Sequence, residues 1–201
     1  MATARDLLTV ALDAAPGRRA EPGDLSLALA GAEVLDLVEL RALTLDGVLI
    51  VPSDPPVTDD RLLREAADVL TRQPPYESVE DWLWRRGQGL SSAYLAAFEE
   101  EGLLARQRRR WLPAWTGDAT PVDSPARRQA ADRWAAGEPV LATLAATVGI
   151  REAPTEEPPE VTEGTTGTVL AAVDDAVTEL TAVRQRRAIE KAAFDNIWRG
   201  P

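Results

Sequence analysis

The strongest hydrophobic pattern in the chain spans residues 24–51, DLSLALAGAEVLDLVELRALTLDGVLIV. Placed at about 100° per residue, Ser26, Glu33, Asp36 and Glu39 fall on one narrow polar stripe. Leu27, Leu29, Val34, Leu35, Leu37, Val38 and Leu40 cover most of the remaining circumference. A helix with so little polar surface belongs in a core, with neighbours on several sides. Asp24 is its expected N-cap, since a carboxylate accepts from the free N–H groups of a first turn. After Arg41 the apolar period drops from about 3.6 to 2, and Asp46-Gly47 separates two apolar runs. Residues 43–45 are therefore expected to pair with 48–50 across a tight turn.

Around this unit the pattern predicts further helices. A first one covers 5–12 and ends at Ala15-Pro16-Gly17. Asp59 or Asp60 caps a helix over 61–72, with Leu62, Leu63, Ala66, Val69 and Leu70 inward, and Pro74-Pro75 stops it. Ser78-Val79-Glu80-Asp81 resembles a capping box and opens a short helix carrying Trp82, Leu83 and Trp84. Residues 90–101 form another, with Leu90, Tyr94, Leu95 and Phe98 apolar and Gly102 at its end. Glu99, Glu100 and Glu101 read as a solvated helix end rather than a metal or acid–base cluster. Residues 103–117 read as an extended hairpin or loop, Ser124-Pro125 starts a helix through Trp134, and Pro139 starts one over 140–148 that Gly149 ends. Residues 151–167 form an acidic Pro/Thr/Gly loop too poor in apolar groups to pack, and a C-terminal helix covers 168–198. The expected fold is mainly α: one compact multi-helix domain over residues 1–201, around a buried central helix, with one or two small β-hairpins.

Composition removes most familiar chemistry. The chain has no Cys and no His, so thiol and imidazole catalysis, disulfides and the usual zinc and haem ligands are excluded. Any metal would need oxygen ligands alone; neither a metal nor a cofactor is expected. Gly164–Gly167 lacks the Gly-Lys-Ser/Thr of a phosphate loop, and Gly89-Leu90-Ser91-Ser92-Ala93 lacks the second glycine of a nucleophile elbow. Asp59-Asp60 and Asp174-Asp175 are sequence neighbours, which diverge by about 100° on a helix and make caps and solvated faces rather than dyads. No enzymatic activity is expected. No apolar run reaches the roughly 18–20 residues of a membrane span. Asp6 and Asp13 bracket the short apolar stretch near the N-terminus with no cleavage site after it, which predicts a cytoplasmic protein.

The net charge is −11, and its distribution carries more information than its size. Residues 1–60 hold −7, 61–100 hold −2 and 136–201 hold −5; only 101–135 is positive, at +3. An acidic protein with one basic segment meets anionic partners through that segment. The segment contains Arg106, Arg108, Arg109, Arg110, Trp111, Leu112 and Trp115. Interfacial membrane binding needs apolar or aromatic groups at the headgroup boundary beside cations for anionic lipid, and Arg grips phosphate with a bidentate fork. By composition alone, a hairpin whose tryptophans pack on the core and whose arginines stay in water is the simpler arrangement.

The whole chain resembles the Golgi phosphoprotein-three family. The resemblance runs through LLTVALD and PGR, ALAGAEVLDLVELRAL with its hairpin, ESVEDWL, EEEGLL, RRRWL and SPARR, over about residues 5–150, in order and spacing rather than in any one strong motif. It implies a mainly α-helical peripheral membrane protein on the cytoplasmic face of a membrane. Eukaryotic members bind phosphatidylinositol 4-phosphate, recruit the tails of Golgi enzymes, and insert a hairpin with an apolar tip beside a headgroup pocket. Here that hairpin falls on Arg108–Trp115, so Arg108, Arg109 and Arg110 would meet lipid phosphates while Trp111, Leu112 and Trp115 insert. Lipid-binding members build the pocket from a Trp ahead of the central helix, an Arg within it and two Args further on. The corresponding positions lie near Glu21-Pro22, at Ala30, and near Gln88 and Ser91, and none of those side chains is kept; Arg85 and Arg86 are close but out of step. The expected partners are anionic membrane lipid, with phosphoinositide among the candidates, and a client protein. A protein adaptor without lipid specificity is one alternative. A winged-helix DNA-binding regulator is another, weakened because its recognition helix would present Glu33, Asp36 and Glu39 where DNA contacts need Arg or Asn; no nucleic-acid partner is expected.

Overall fold

The computed structural model describes residues 2–15, 19–105, 120–150 and 164–198, and among them the chain forms eight helices and two short antiparallel strand pairs. In chain order these are α1 (Thr3–Asp13), α2 (Pro22–Glu39), β1 (Leu43–Asp46), β2 (Leu49–Pro52), α3 (Arg61–Asp68), α4 (Val79–Arg86) and α5 (Leu90–Glu100). They are followed by β3 (Leu104–Ala105), β4 (Thr120–Pro121), α6 (Pro125–Ala135), α7 (Pro139–Thr147) and α8 (Gly164–Trp198). The mainly α expectation holds.

α2 is the centre of the fold, packed against α1, α4, α5 and α8. Leu27, Leu29, Val34 and Leu37 are buried on it, as its narrow polar stripe requires. It begins two residues before the expected Asp24 cap. Pro22 occupies the first position, where its missing N–H is no loss and its fixed φ suits the turn. Asp24 becomes a first-turn acid whose Oδ2 accepts from Arg184 of α8 at 3.0 Å. The polar stripe does not face water either. Ser26, Glu33 and Asp36 are all buried, and only Glu39 is exposed. Asp36 shows how this is tolerated: its carboxylate accepts from the backbone N–H groups of Thr3 at 2.8 Å and Ala4 at 3.0 Å. α1 has no side-chain cap of its own, so an acid on its neighbour caps it.

The hairpin after α2 pairs Leu43 with Pro52 and Leu45 with Ile50. Gly47 and Val48 make the two-residue loop, one position later than expected, with Gly47 first and at a φ of 61°. A glycine at the first loop position is one of the two ways a two-residue hairpin can turn. Leu43 and Ile50 face inward.

α3 stops at Asp68, about a turn before the expected end, and Val69 is exposed rather than inward. Arg72 reaches back to the Ala67 carbonyl at 3.4 Å, closing the helix with a cation at its C-terminal end. Asp60, not Asp59, is the α3 cap, accepting from the Leu63 N–H at 3.0 Å. Ser78 and Ser124 cap α4 and α6 as expected, accepting from the Asp81 and Arg127 N–H groups at 3.0 and 3.1 Å.

α8 begins at Gly164, four residues before the expected start, where the sequence offers no apolar period to read. Val169, Val173, Ala176 and Val177 are buried in the core, and α8 packs on α2, α4 and α7. Side chains 185–194 are all exposed, so this half of the helix extends beyond the packed body. The α2–α8 contact depends on Gly31, where an added Cβ would lie 2.3 Å from Val173 Cγ2.

Two stability tests follow. In an open helix interior, Gly31→Ala would gain up to about 1 kcal/mol. Here the added methyl group must push α8 away, and the expected result is a loss of about 1–3 kcal/mol by urea unfolding. The second concerns Asp36, which burial raises to about 6, against the pull of the Ala4 and Thr3 N–H groups. The folded chain thus holds a proton that the unfolded chain releases above its ordinary value of 3.8. Stability should therefore be greatest below about pH 4 and fall as pH rises through about 6, by roughly 3 kcal/mol for this group. Burial moves Asp6 and Glu33 in the same direction. Asp36→Asn should remove the part of the slope centred between those values, read from urea midpoints across pH.

Candidate functional site

α5 ends at Gly102, whose φ of 71° lets its N–H donate to the Glu99 carbonyl while Leu103 N–H reaches the Phe98 carbonyl. The chain then enters β3, where Leu104 pairs with Pro121 and Ala105 with Thr120. The Val122 N–H extends the pairing to the Leu103 carbonyl at 2.8 Å. Arg127 on α6 braces this stem, donating to the Pro121 carbonyl at 3.2 Å and bidentately to Asp13 of α1 at 3.1 and 2.7 Å. Residues 106–119 connect β3 to β4. Arg106, Arg108, Arg109, Arg110, Trp111, Leu112 and Trp115 all lie outside the described residues.

Of the positions singled out in the sequence, Pro22, Gln88 and Ser91 converge and Ala30 stands apart. Pro22, Gln88 and Ser91 line one groove of about 270 Å³, with Ser26, Trp84 and Leu180. Ala30 does not line it: it lies one turn further along α2, is fully buried, and its carbonyl accepts from Trp82 Nε1 at 3.2 Å. The serines are committed to each other. Ser26 Oγ lies 2.8 Å from Ser91 Oγ and accepts from the Ser91 N–H at 3.1 Å, while Ser91 Oγ donates to the Pro22 carbonyl at 3.2 Å. Among the described residues no cationic side chain lines it, and Arg184 nearby is paired with Asp24. The groove is neutral and largely apolar.

The two arginines nearest in sequence are occupied elsewhere. Arg86 points inward and grips Glu33 bidentately, Nε and Nη2 each at 2.8 Å, with a further bond from Nη2 to the Leu62 carbonyl at 3.1 Å. Tyr94 adds its hydroxyl to Glu33 at 3.2 Å. Burial pushes the Glu33 carboxyl up, and Arg86 and Tyr94 pull it back towards the charged form. Burial and the Glu33 charge also hold the Tyr94 phenol well above its ordinary range. Arg85 is bidentate to Glu77 at 2.7 Å and lies over the Trp82 ring. Sequence reasoning missed these commitments, because each partner sits on a different element.

Other expectations can be placed on the same geometry. The Glu99–Glu101 cluster is an ion-paired helix end: Glu100 meets Arg61 at 3.3 Å and Glu101 meets Arg5. With Ser26, Glu33 and Asp36 buried, α2 has no open polar face to lay in a DNA groove. Among the described residues no helix is long and apolar enough to cross a membrane.

A family model described as Golgi phosphoprotein 3 (GPP34) matches residues 4–192. No curated protein matches the chain.

The Glu33–Arg86 pair makes a direct prediction. Arg86→Ala would leave Glu33, 0% exposed, without its counter-charge, and should cost about 3–5 kcal/mol by urea unfolding. Glu33→Leu combined with Arg86→Met should recover most of that loss, since a packed apolar pair replaces a buried ionic one. If Arg86→Ala alone leaves stability unchanged, the pair is not buried as described.

Proposed function

The chain belongs to the Golgi phosphoprotein 3 family, and from that premise we propose that it is a non-enzymatic peripheral membrane protein that docks on anionic lipid. The contact is made by residues 106–119, through Arg108, Arg109 and Arg110 on phosphates and Trp111, Leu112 and Trp115 in the headgroup boundary. The observation that carries this reading is the β3–β4 stem. It offers the body one fixed exit and re-entry point for a segment that holds four arginines and a single acid in a protein of net charge −11. Such a segment is drawn to an anionic surface while the acidic remainder is kept off it.

The neutral groove at Pro22, Gln88 and Ser91 supports a second element of the reading. With no cation among the described residues there to fork a phosphate, and with Arg85 and Arg86 held by Glu77 and Glu33, headgroup identity contributes little. Attraction comes from surface charge and aromatic insertion. Binding to phosphatidylinositol 4-phosphate should equal that to other bilayers of the same negative charge, and a clear headgroup preference on supported bilayers would count against this element.

Each Arg close to an anionic surface contributes roughly 1 kcal/mol, so changing Arg108, Arg109 and Arg110 together to Ser should weaken vesicle binding by about 10²-fold. The residual binding should be less sensitive to salt. Trp111→Ser with Leu112→Ser should weaken binding at every salt concentration and leave the melting temperature unchanged. Full vesicle affinity with a lowered melting temperature would instead make these residues part of the core and end the membrane reading.

A further inference from the structure

α8 carries charges that form no ion pair among the described residues. Positions 168 and 172, half-buried, and 175, 179, 182, 186, 189 and 193, exposed, recur at alternating steps of four and three, the spacing of a helix–helix seam. The first half of this seam borders a groove of about 410 Å³, with Trp84, Val48 and Ala172 lining it and Glu80, Asp175 and Glu179 as its acids. The second half extends beyond the body and carries Arg186 and Ile189, the latter 69% exposed, flanked by Arg187 and Lys191. Among the described residues none of these acids or bases forms an ion pair. One helix therefore bears an acidic apolar groove at one end and a basic apolar ridge at the other, in the same register.

The register is palindromic. Laid antiparallel on a copy of itself about a point between 180 and 181, position 172 meets 189, 175 meets 186 and 179 meets 182. Ile189 falls over Ala172 and towards Trp84, Asp175 faces Arg186, and Ala182 at the centre lets the two backbones approach. Each contact occurs twice, as a two-fold interface demands. A parallel arrangement would instead set Asp175 against Asp175 and Arg186 against Arg186, so charge selects the antiparallel direction.

We propose that two copies of this chain associate through α8, antiparallel, with Ile189 of each seated in the groove of the other and Asp175 paired with Arg186 at both ends of the seam. The association does not require lipid. It covers the exposed turns 185–194 and the groove together.

Sedimentation equilibrium of the full chain across the micromolar range tests this. The unmodified chain should be a dimer that weakens with salt. Asp175→Arg and Arg186→Asp should each weaken it by about tenfold or more, since each places two like-charge contacts in the seam. The two changes in one chain should restore it. Both side chains are exposed, and circular dichroism should show the variants as helical as the parent. Because the chain has no cysteine, a second test is free of background. A chain carrying Ala172→Cys mixed with one carrying Ile189→Cys should form a mixed disulfide dimer on mild oxidation. A monomer throughout the range overturns the proposal, including one whose groove is filled by a Lys/Arg-rich peptide. So does a dimer indifferent to the charge reversals, or one that gives no mixed disulfide.

Discussion

A buried helix cannot leave a polar side chain unpartnered, and α2 buries four of them, Asp24, Ser26, Glu33 and Asp36. An orphaned neutral group costs about 1–3 kcal/mol and a charged one more, so each must be met by a specific atom from outside the helix. Ser26 is met by Ser91 at the start of α5, Glu33 by Arg86 at the end of α4 and by Tyr94, and Asp36 by the first N–H groups of α1. Because those partners come from three different elements, the polar stripe sets how α1, α4 and α5 are rotated and shifted around α2. The apolar remainder supplies adhesion but little orientation, since one leucine contact resembles another. α8 is positioned by the Asp24–Arg184 ion pair and by close fit at Gly31. The architecture thus rests on four polar commitments and one close approach.

The sequence makes the local parts of this visible and hides the rest. Apolar period exposes α2 as a core helix, and the caps at Asp60, Ser78 and Ser124 are readable because donor and acceptor lie three residues apart. The stripe of Ser26, Glu33 and Asp36 looks like a solvent face because a wheel diagram gives polar residues to water. Their partners lie 65, 53 and 33 positions away, beyond the reach of any pattern. At the start of α2 two good signals compete, Pro22 and Asp24, and only packing against Arg184 decides between them. The first turn of α8 has no apolar residue to announce it.

For the candidate site the same division holds. Clustered Arg and Trp can be seen in composition alone, but the strand pairing of Leu104 and Ala105 with Pro121 and Thr120 cannot, because fourteen residues separate the two strands. Whether an arginine is available to a ligand cannot be read this way. Arg85 and Arg86 sit side by side, yet one is spent on a partly exposed ion pair with Glu77 and the other on a buried one with Glu33. Likewise Gln88 and Ser91 become neighbours of Pro22 only when α5 docks on α2. Which atoms a side chain already holds is a tertiary property.

The β3–β4 stem has an evolutionary consequence. The body fixes the ends of residues 106–119 through two residue pairs, the Leu103–Val122 bond and the Arg127 brace, and among the described residues α1, α4 and α5 are oriented around α2 by hydrogen bonds made elsewhere in the chain. Lengthening such a connection is cheap, about 0.6 kcal/mol per doubling of its length. Selection can therefore rewrite whatever stands between the two strands, in charge, length or aromatic content, without renegotiating the core. The stem works as a socket for an interchangeable cassette, through which the surface a lineage recognises can diverge while the scaffold stays the same.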